Sequence, residues 1–132
     1  MSFISKIYDT LNSVAQAINI CKKPIHYQLD TEIDTGDYWI DGKKIYKMYK
    51  QTVAPNVTDT WTSVWDLTSI NINTIIDYNY LIFSTDSVWY KQYRDTKTFC
   101  ISYINNSGIF LNFSYAALKQ QPLLLSVTYT KN

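Results

Sequence analysis

The chain has 132 residues and a nearly balanced charge, with 12 lysines and arginines against 11 acidic residues. A nucleic-acid partner or an anionic membrane surface would call for a basic patch or run, so this balance argues against both. The length fits one compact domain with a small appendage. Abundant tyrosine and tryptophan with only three glycines and three prolines favour strands, so we expect a mainly β protein.

A heptad pattern predicts one helix over residues 2–23. Ser2 can cap its first turn, and Pro24 ends it by disfavouring helical geometry in the residue before it. Apolar residues follow one another at alternating steps of three and four. They are Ile4, Ile7, Leu11, Val14, Ile18 and Cys21. β-branched residues at both positions of such a seam favour three strands over two.

The helical seam has two interpretations. The helix could lie on the core of its own domain, or it could associate with copies of itself. The polar residues that flank the narrow seam, and the β-type sequence that follows it, favour self-association. We therefore predict a homotrimer with an interface at Ile4, Ile7, Leu11, Val14 and Ile18. Because a helix of this length is marginal alone, other contacts must also hold the oligomer.

Residues 24–36 are expected to form an extended connection. A short strand over residues 24–29 would be followed by a polar turn that Gly36 closes. The connection contains the one histidine, His26. No cysteine or carboxylate stands at a ligand spacing from it, so we interpret it as a structural hydrogen-bonding group.

Residues 37–53 are expected to form a hairpin. Asp41-Gly42 lies between two β-type runs, and this pair suits a two-residue type I′ turn, in which both central residues have positive φ.

Short strands separated by turn signals are predicted for the rest of the chain. They cover residues 74–84, 88–94, 98–105, 109–115 and 122–131. Residues 60–67 could be another strand or an irregular stretch that holds two tryptophans in place. Because side chains alternate between the two faces of a strand, three sets of apolar residues are each predicted to share one face of their strand. The sets are Ile76, Tyr78, Tyr80 and Ile82; Ile109, Leu111, Phe113 and Tyr115; and Leu123, Leu125, Val127 and Tyr129. We expect an antiparallel, jelly-roll-like β-sandwich over residues 24–132, preceded by a helical segment over residues 1–23.

Catalytic, metal and cofactor sites are not predicted. Cys21 and Cys100 are far apart in sequence, and most carboxylates stand beside turn-forming residues. A nucleophilic serine would depend on His26, and no strand–turn–helix serine motif is present. No apolar run is long enough for a membrane span, and we expect no secretory leader.

The aromatic residues are the remaining candidates for binding. Trp61, Trp65 and Trp89, with Tyr90 and Tyr93, could stack on the apolar face of a sugar ring. The alternative is that they pack the interior or line contacts between subunits, where tyrosine and tryptophan are common.

Two stretches of the chain are distinctive. The first is the run Thr35-Gly36-Asp37-Tyr38-Trp39-Ile40-Asp41-Gly42-Lys43-Lys44-Ile45-Tyr46-Lys47. It resembles a Trp-Ile-Asp-Gly-Lys hairpin that begins a small β-sandwich in a family of tailed-bacteriophage structural proteins, found in tail fibres, baseplate proteins and head fibres. The ending Ser126-Val127-Thr128-Tyr129-Thr130-Lys131 resembles the last strand of that family. Together the two stretches frame residues 27–132.

This resemblance implies a trimeric β-sandwich, a place on the virion and no enzymatic activity. The family domain usually caps a longer polypeptide, whereas here one helix precedes it, which favours a short head-fibre, decoration or tail-associated appendage. Such a protein would be made in the host cytoplasm, would contact other virion proteins through its N-terminal helix, and could adhere to host-surface glycans. A monomeric carbohydrate-binding module is the alternative, and a joint that touches only virion proteins is a third.

Overall fold

The computed structural model describes residues 2–21, 28–83, 89–90, 93–94 and 98–132, with side chains described for residues 2–14, 28–83 and 98–132. These residues form the helix α1 (Phe3–Cys21), then nine strands and one short 3₁₀ helix (Ala116–Leu118) before the last strand. The strands are β1 (Ile33–Tyr38), β2 (Lys44–Val53), β3 (Thr62–Asp66), β4 (Ile72–Phe83), β5 (Trp89–Tyr90), β6 (Tyr93–Arg94), β7 (Phe99–Asn105), β8 (Gly108–Phe113) and β9 (Pro122–Lys131).

The strands make two antiparallel sheets, as the sequence predicts. One sheet has the order β1-β2-β9-β4-β5, and the other has the order β3-β8-β7-β6. Strand β9 lies at the centre of the first sheet, between β2 and β4. The fold is therefore a mainly β sandwich preceded by one helix.

The core lies between the two sheets. The predicted inner face of β9 is confirmed, because all four of its side chains are fully buried: Leu123, Leu125, Val127 and Tyr129. Three side chains of β8 meet them from the other sheet: Ile109, Leu111 and Phe113. Tyr115, which we expected on the same face, follows the end of β8 and is exposed.

Two inward tyrosines of β4 link the sheets through their hydroxyls. The Tyr78 hydroxyl lies 2.9 Å from the Ser102 hydroxyl, and the Tyr80 hydroxyl donates to the Cys100 carbonyl at 3.3 Å. These bonds satisfy polar groups that would otherwise be costly to bury. Burial raises the pKa of the Cys100 thiol, which keeps this cysteine protonated and packed as an apolar side chain.

The hairpin between β1 and β2 differs from the predicted turn. Gly42 has a φ of 83°, but Asp41 does not have positive φ. Hydrogen bonds from Gly42 N to Trp39 O and from Trp39 N to Lys43 O enclose a three-residue loop. This is a type I turn followed by a left-handed glycine, the next most common hairpin after the two-residue types.

The expected polar turn before this hairpin is also wrong. Residues 33–38 form β1, and Gly36 lies inside that strand with a φ of 82°. The pairing of β1 with β2 shifts between Asp34 and Tyr38, so Gly36 marks a bulge rather than the end of a turn. His26 and most of the predicted strand over residues 24–29 lie outside the described residues. Leu29 alone makes an isolated parallel bridge, to Tyr49.

Two other strand predictions are wrong in part: the inward face of β4, and the single strand over residues 88–94. The β4–β9 register shifts between Ile75 and Asp77, so Ile75 packs against the core where Ile76 was expected. The predicted strand over residues 88–94 is divided. Its first described part, β5, pairs with β4, and its second, β6, pairs with β7 in the other sheet.

Candidate functional site

The helix α1 presents an uncovered apolar surface. Every described side chain in residues 2–14 is exposed, including Ile4, Ile7, Leu11 and Val14 of the predicted interface. Leu11 retains 60% of its surface. We call these four residues the helix seam. Ile18 lies in α1, but its side chain is outside the described set. Over this part of the helix, packing of the seam on the protein's own core is not observed.

Several polar groups in the described part of the helix are paired within it. The Ser5 amide donates to the Ser2 hydroxyl at 3.2 Å, which confirms the predicted cap. The Thr10 and Ser13 hydroxyls donate to the carbonyls of Lys6 and Asp9. Because these groups are already paired, the seam is the part of the helix that gains most from a partner.

The predicted helix interface did not include two aromatic side chains, Phe3 and Tyr8. Phe3 and Tyr8 are both exposed and stand beside the helix seam, at positions next to its heptad core. The sequence could have indicated them, because Phe3 directly precedes Ile4 and Tyr8 directly follows Ile7. They widen the apolar stripe beyond a narrow two-position seam, and a wider stripe suits more than two helices.

The loop that carries the Trp-Ile-Asp-Gly-Lys motif is a scaffold with an exposed tip. The Asp41 carboxylate accepts the Lys43 amide at 3.0 Å, which fixes the loop from within. Ile40 is 91% exposed, whereas Trp39 is half-buried at the base.

The three predicted sugar-stacking tryptophans have different positions. Trp61 is 44% exposed and lies on the open side of the β3-β8-β7-β6 sheet. Trp65 is only 7% exposed and belongs to the core, so its ring is not available for stacking and that prediction is wrong. Trp89 is in β5, with its side chain outside the described set.

A β-bulge separates the two described tryptophans. Residues four apart on a regular strand share a face, so the sequence treats Trp61 and Trp65 alike. In the structure Ser63 pairs with Phe110 and Trp65 pairs with Ile109, which leaves Val64 as the extra residue. The insertion turns Trp65 towards the core and leaves Trp61 outside.

Trp61 joins two other aromatic rings on the open face. It meets Tyr103 edge-on at 4.9 Å between centroids, and Tyr103 stacks on Phe110 at 4.7 Å. We call Trp61, Tyr103 and Phe110 the aromatic corner. Sequence reasoning missed Tyr103 and Phe110, because their contact depends on the register between β7 and β8.

The chain's one glutamate is in a structural cluster. Glu32 accepts the Tyr129 hydroxyl at 2.6 Å and the Lys131 ammonium at 2.8 Å. The Lys131 ammonium also lies 4.9 Å from the centre of the Tyr46 ring. Burial raises the pKa of Tyr129 well above its usual value, and the hydrogen bond to Glu32 raises it further. The bond to Glu32 also raises the pKa of Lys131. The cluster ties the chain segment before β1 to the end of β9.

Within the described part of the chain, no group of three histidine, cysteine or carboxylate side chains is placed to hold a metal ion. No helix there has the length and apolar character needed to cross a membrane. Comparison with family models, curated proteins and solved structures gave no match for this chain.

Proposed function

We propose that this chain is a structural component of a bacteriophage particle, in which three copies join through their helices and carry β-sandwich heads outward. The helices would also attach the trimer to other virion proteins. The protein would be made in the host cytoplasm and reside in the virion. The Trp-Ile-Asp-Gly-Lys hairpin and the Tyr-Thr-Lys ending supply the resemblance on which the phage assignment depends.

The observation that supports the trimer is the exposed helix seam. A stripe of leucine, isoleucine and valine in water is unfavourable by about 25 cal/mol for each Å² of apolar surface. The sandwich has its own core and leaves this stripe uncovered over residues 2–14. Copies of the same helix can cover one another's seams, and β-branched residues at both heptad positions favour three strands.

Light scattering on the full chain tests the trimer, and a matched pair of variants tests the seam. Leu11→Asp puts a charge into the seam and is expected to give monomers. Asn12→Asp adds the same charge on the polar side of the same turn and is expected to leave the trimer intact. A trimer in both variants would show that the seam does not hold the oligomer.

Electron microscopy of particles labelled with an antibody against this chain tests the location. Label on the head, tail or fibre of the particle is the expected result. Purified infectious particles that contain no trace of the chain would overturn the virion assignment, even if the protein is a trimer in solution.

A monomeric carbohydrate-binding module is the second candidate, and the exposed ring of Trp61 favours it. The two candidates differ in mass. A single 15.4 kDa species at micromolar concentration that binds sugar would support the module and contradict the trimeric appendage.

A further inference from the structure

The aromatic corner has a fixed geometry. Tyr103 and Phe110 are directly opposite each other on β7 and β8, and their rings are inclined by only 13°. Trp61 is inclined by 65° to Tyr103. An edge-to-face contact occupies at most one face of the indole, so Tyr103 does not cover both faces of Trp61, and the side chain remains 44% exposed. The corner therefore offers a braced aromatic surface to a ligand.

An unpaired side-chain oxygen lies on the same side of the sheet. Leu111 and Phe113 point into the core, so Asn112 between them points outward. Thr62 pairs with Leu111, and continuing that register by one residue brings Asn112 opposite Trp61. The Asn112 side-chain oxygen is buried and has no hydrogen-bond partner among the described residues. An acceptor in that condition is costly, and a purely apolar partner would not relieve the cost.

The three strands that form the described part of the sheet around the corner carry little charge. Among the residues of β3, β7 and β8, Asp66 alone carries a charge, and its carboxylate accepts the Thr68 amide and hydroxyl. An anionic ligand would find no described cation on these three strands. The combination of an aromatic face, an unmet acceptor and little charge fits a neutral molecule with both apolar C–H faces and hydroxyl donors.

We propose that the aromatic corner binds a neutral pyranose-containing glycan. The apolar face of one sugar ring stacks on Trp61, and a hydroxyl of the sugar donates to the Asn112 oxygen after the side chains above that oxygen move aside. The proposal deepens the outward role of the head in the proposed function, but it does not depend on how many copies associate.

The test uses the full chain on an array of neutral and acidic oligosaccharides, with the mass of each variant measured in parallel. The wild type is expected to bind a subset of neutral glycans. Trp61→Ala is expected to weaken that binding about tenfold, as the loss of an aromatic stacking contact. Trp61→Phe, which keeps a ring, is expected to recover part of it. Tyr38→Ala, which removes an exposed tyrosine from the hairpin, is the matched control and is expected to bind normally.

Asn112→Leu separates a binding role from a structural one. It removes the unpaired acceptor while keeping a side chain of similar size, so the protein is expected to be as stable as the wild type or more so. If the amide receives a sugar hydroxyl, glycan binding weakens severalfold in this more stable variant. Unchanged binding by Asn112→Leu would overturn the role of the amide.

Two results would overturn the site itself. One is a folded trimer that binds no neutral glycan, a result that leaves the trimeric appendage standing. The other is a change of assembly mass caused by Trp61→Ala with no change in glycan binding, which would make the corner a contact between copies of the chain. A monomeric wild type that binds neutral glycans through Trp61 would instead support the site and contradict the trimer.

Discussion

Leu125 in β9 and Leu11 in α1 are both leucines, but one is buried and the other is exposed to solvent. Leu125 is 1% exposed between the two sheets, and Leu11 is 60% exposed on the helix. The sandwich therefore completes its own core, whereas the helix displays apolar surface that it does not cover. The comparison sets a head with a closed core beside a helix whose described side chains are all exposed, and we propose that copies of the helix cover one another.

The largest expected effect comes from shortening each leucine in turn. Leu125→Ala should lower the free energy of unfolding of the head by about 2–5 kcal/mol, because it leaves a cavity in the core. Leu11→Ala should leave the unfolding of the head nearly unchanged and weaken the oligomer. Denaturation followed by tryptophan fluorescence measures the first effect, and light scattering measures the second. Equal destabilisation of the head by both variants would contradict the assignment of Leu125 to the core of the head and of Leu11 to a separate helix surface.

The cluster around Glu32 should give the next largest effect. Glu32→Ala leaves the buried Tyr129 hydroxyl without its acceptor and Lys131 without its ion pair, which should cost about 1–3 kcal/mol. Glu32→Gln keeps an acceptor oxygen and should cost less. Chemical denaturation at pH 7 provides the comparison. Equal losses in the two variants would assign the effect to the charge and not to the hydroxyl.

Alkaline pH should destabilise the head. The folded state raises the pKa of Tyr80 and of Tyr129 through burial, and it raises the pKa of Lys131 through its bond to Glu32. Above about pH 10 the unfolded chain loses these protons first, so its relative free energy falls and stability decreases. Below that pH these groups keep their full contribution. Thermal unfolding between pH 8 and 11 should show a falling midpoint, and a midpoint that rises across this range would contradict the assignment.

The smallest expected effect is at the hairpin tip. Gly42 has a φ of 83°, and an L residue there is strained by about 1 kcal/mol. Open space surrounds the position of an added Cβ, so Gly42→Ala should show this backbone cost without a clash. Lys43→Ala, in the same loop, is the control and should be close to neutral in chemical denaturation. A loss of several kcal/mol in Gly42→Ala would mean that the tip packs against something.

Patterns with a single dominant period were predictable from the sequence. The inner face of β9, the turn between β7 and β8, and the start of α1 at the Ser2 cap all follow from local alternation or capping. In each case the chemistry of neighbouring residues was enough, because no distant strand had to be known.

Features that depend on an inserted residue or on strand pairing could not be predicted. The bulge at Val64 separates Trp61 from Trp65, and the shift at Ile76 changes which isoleucine faces the core. A one-residue insertion moves each later side chain of the strand to the opposite face of the sheet, and the local sequence does not indicate where the insertion occurs. The aromatic corner has the same origin, since Tyr103 and Phe110 meet only through the register of β7 with β8.

The most direct test of the difference between head and helix is the mass of the chain with and without residues 1–23. We predict three protomer masses for the full chain at micromolar concentration, and a folded single protomer for the head alone. A full chain that is monomeric, or a head that remains trimeric without the helix, would contradict the account.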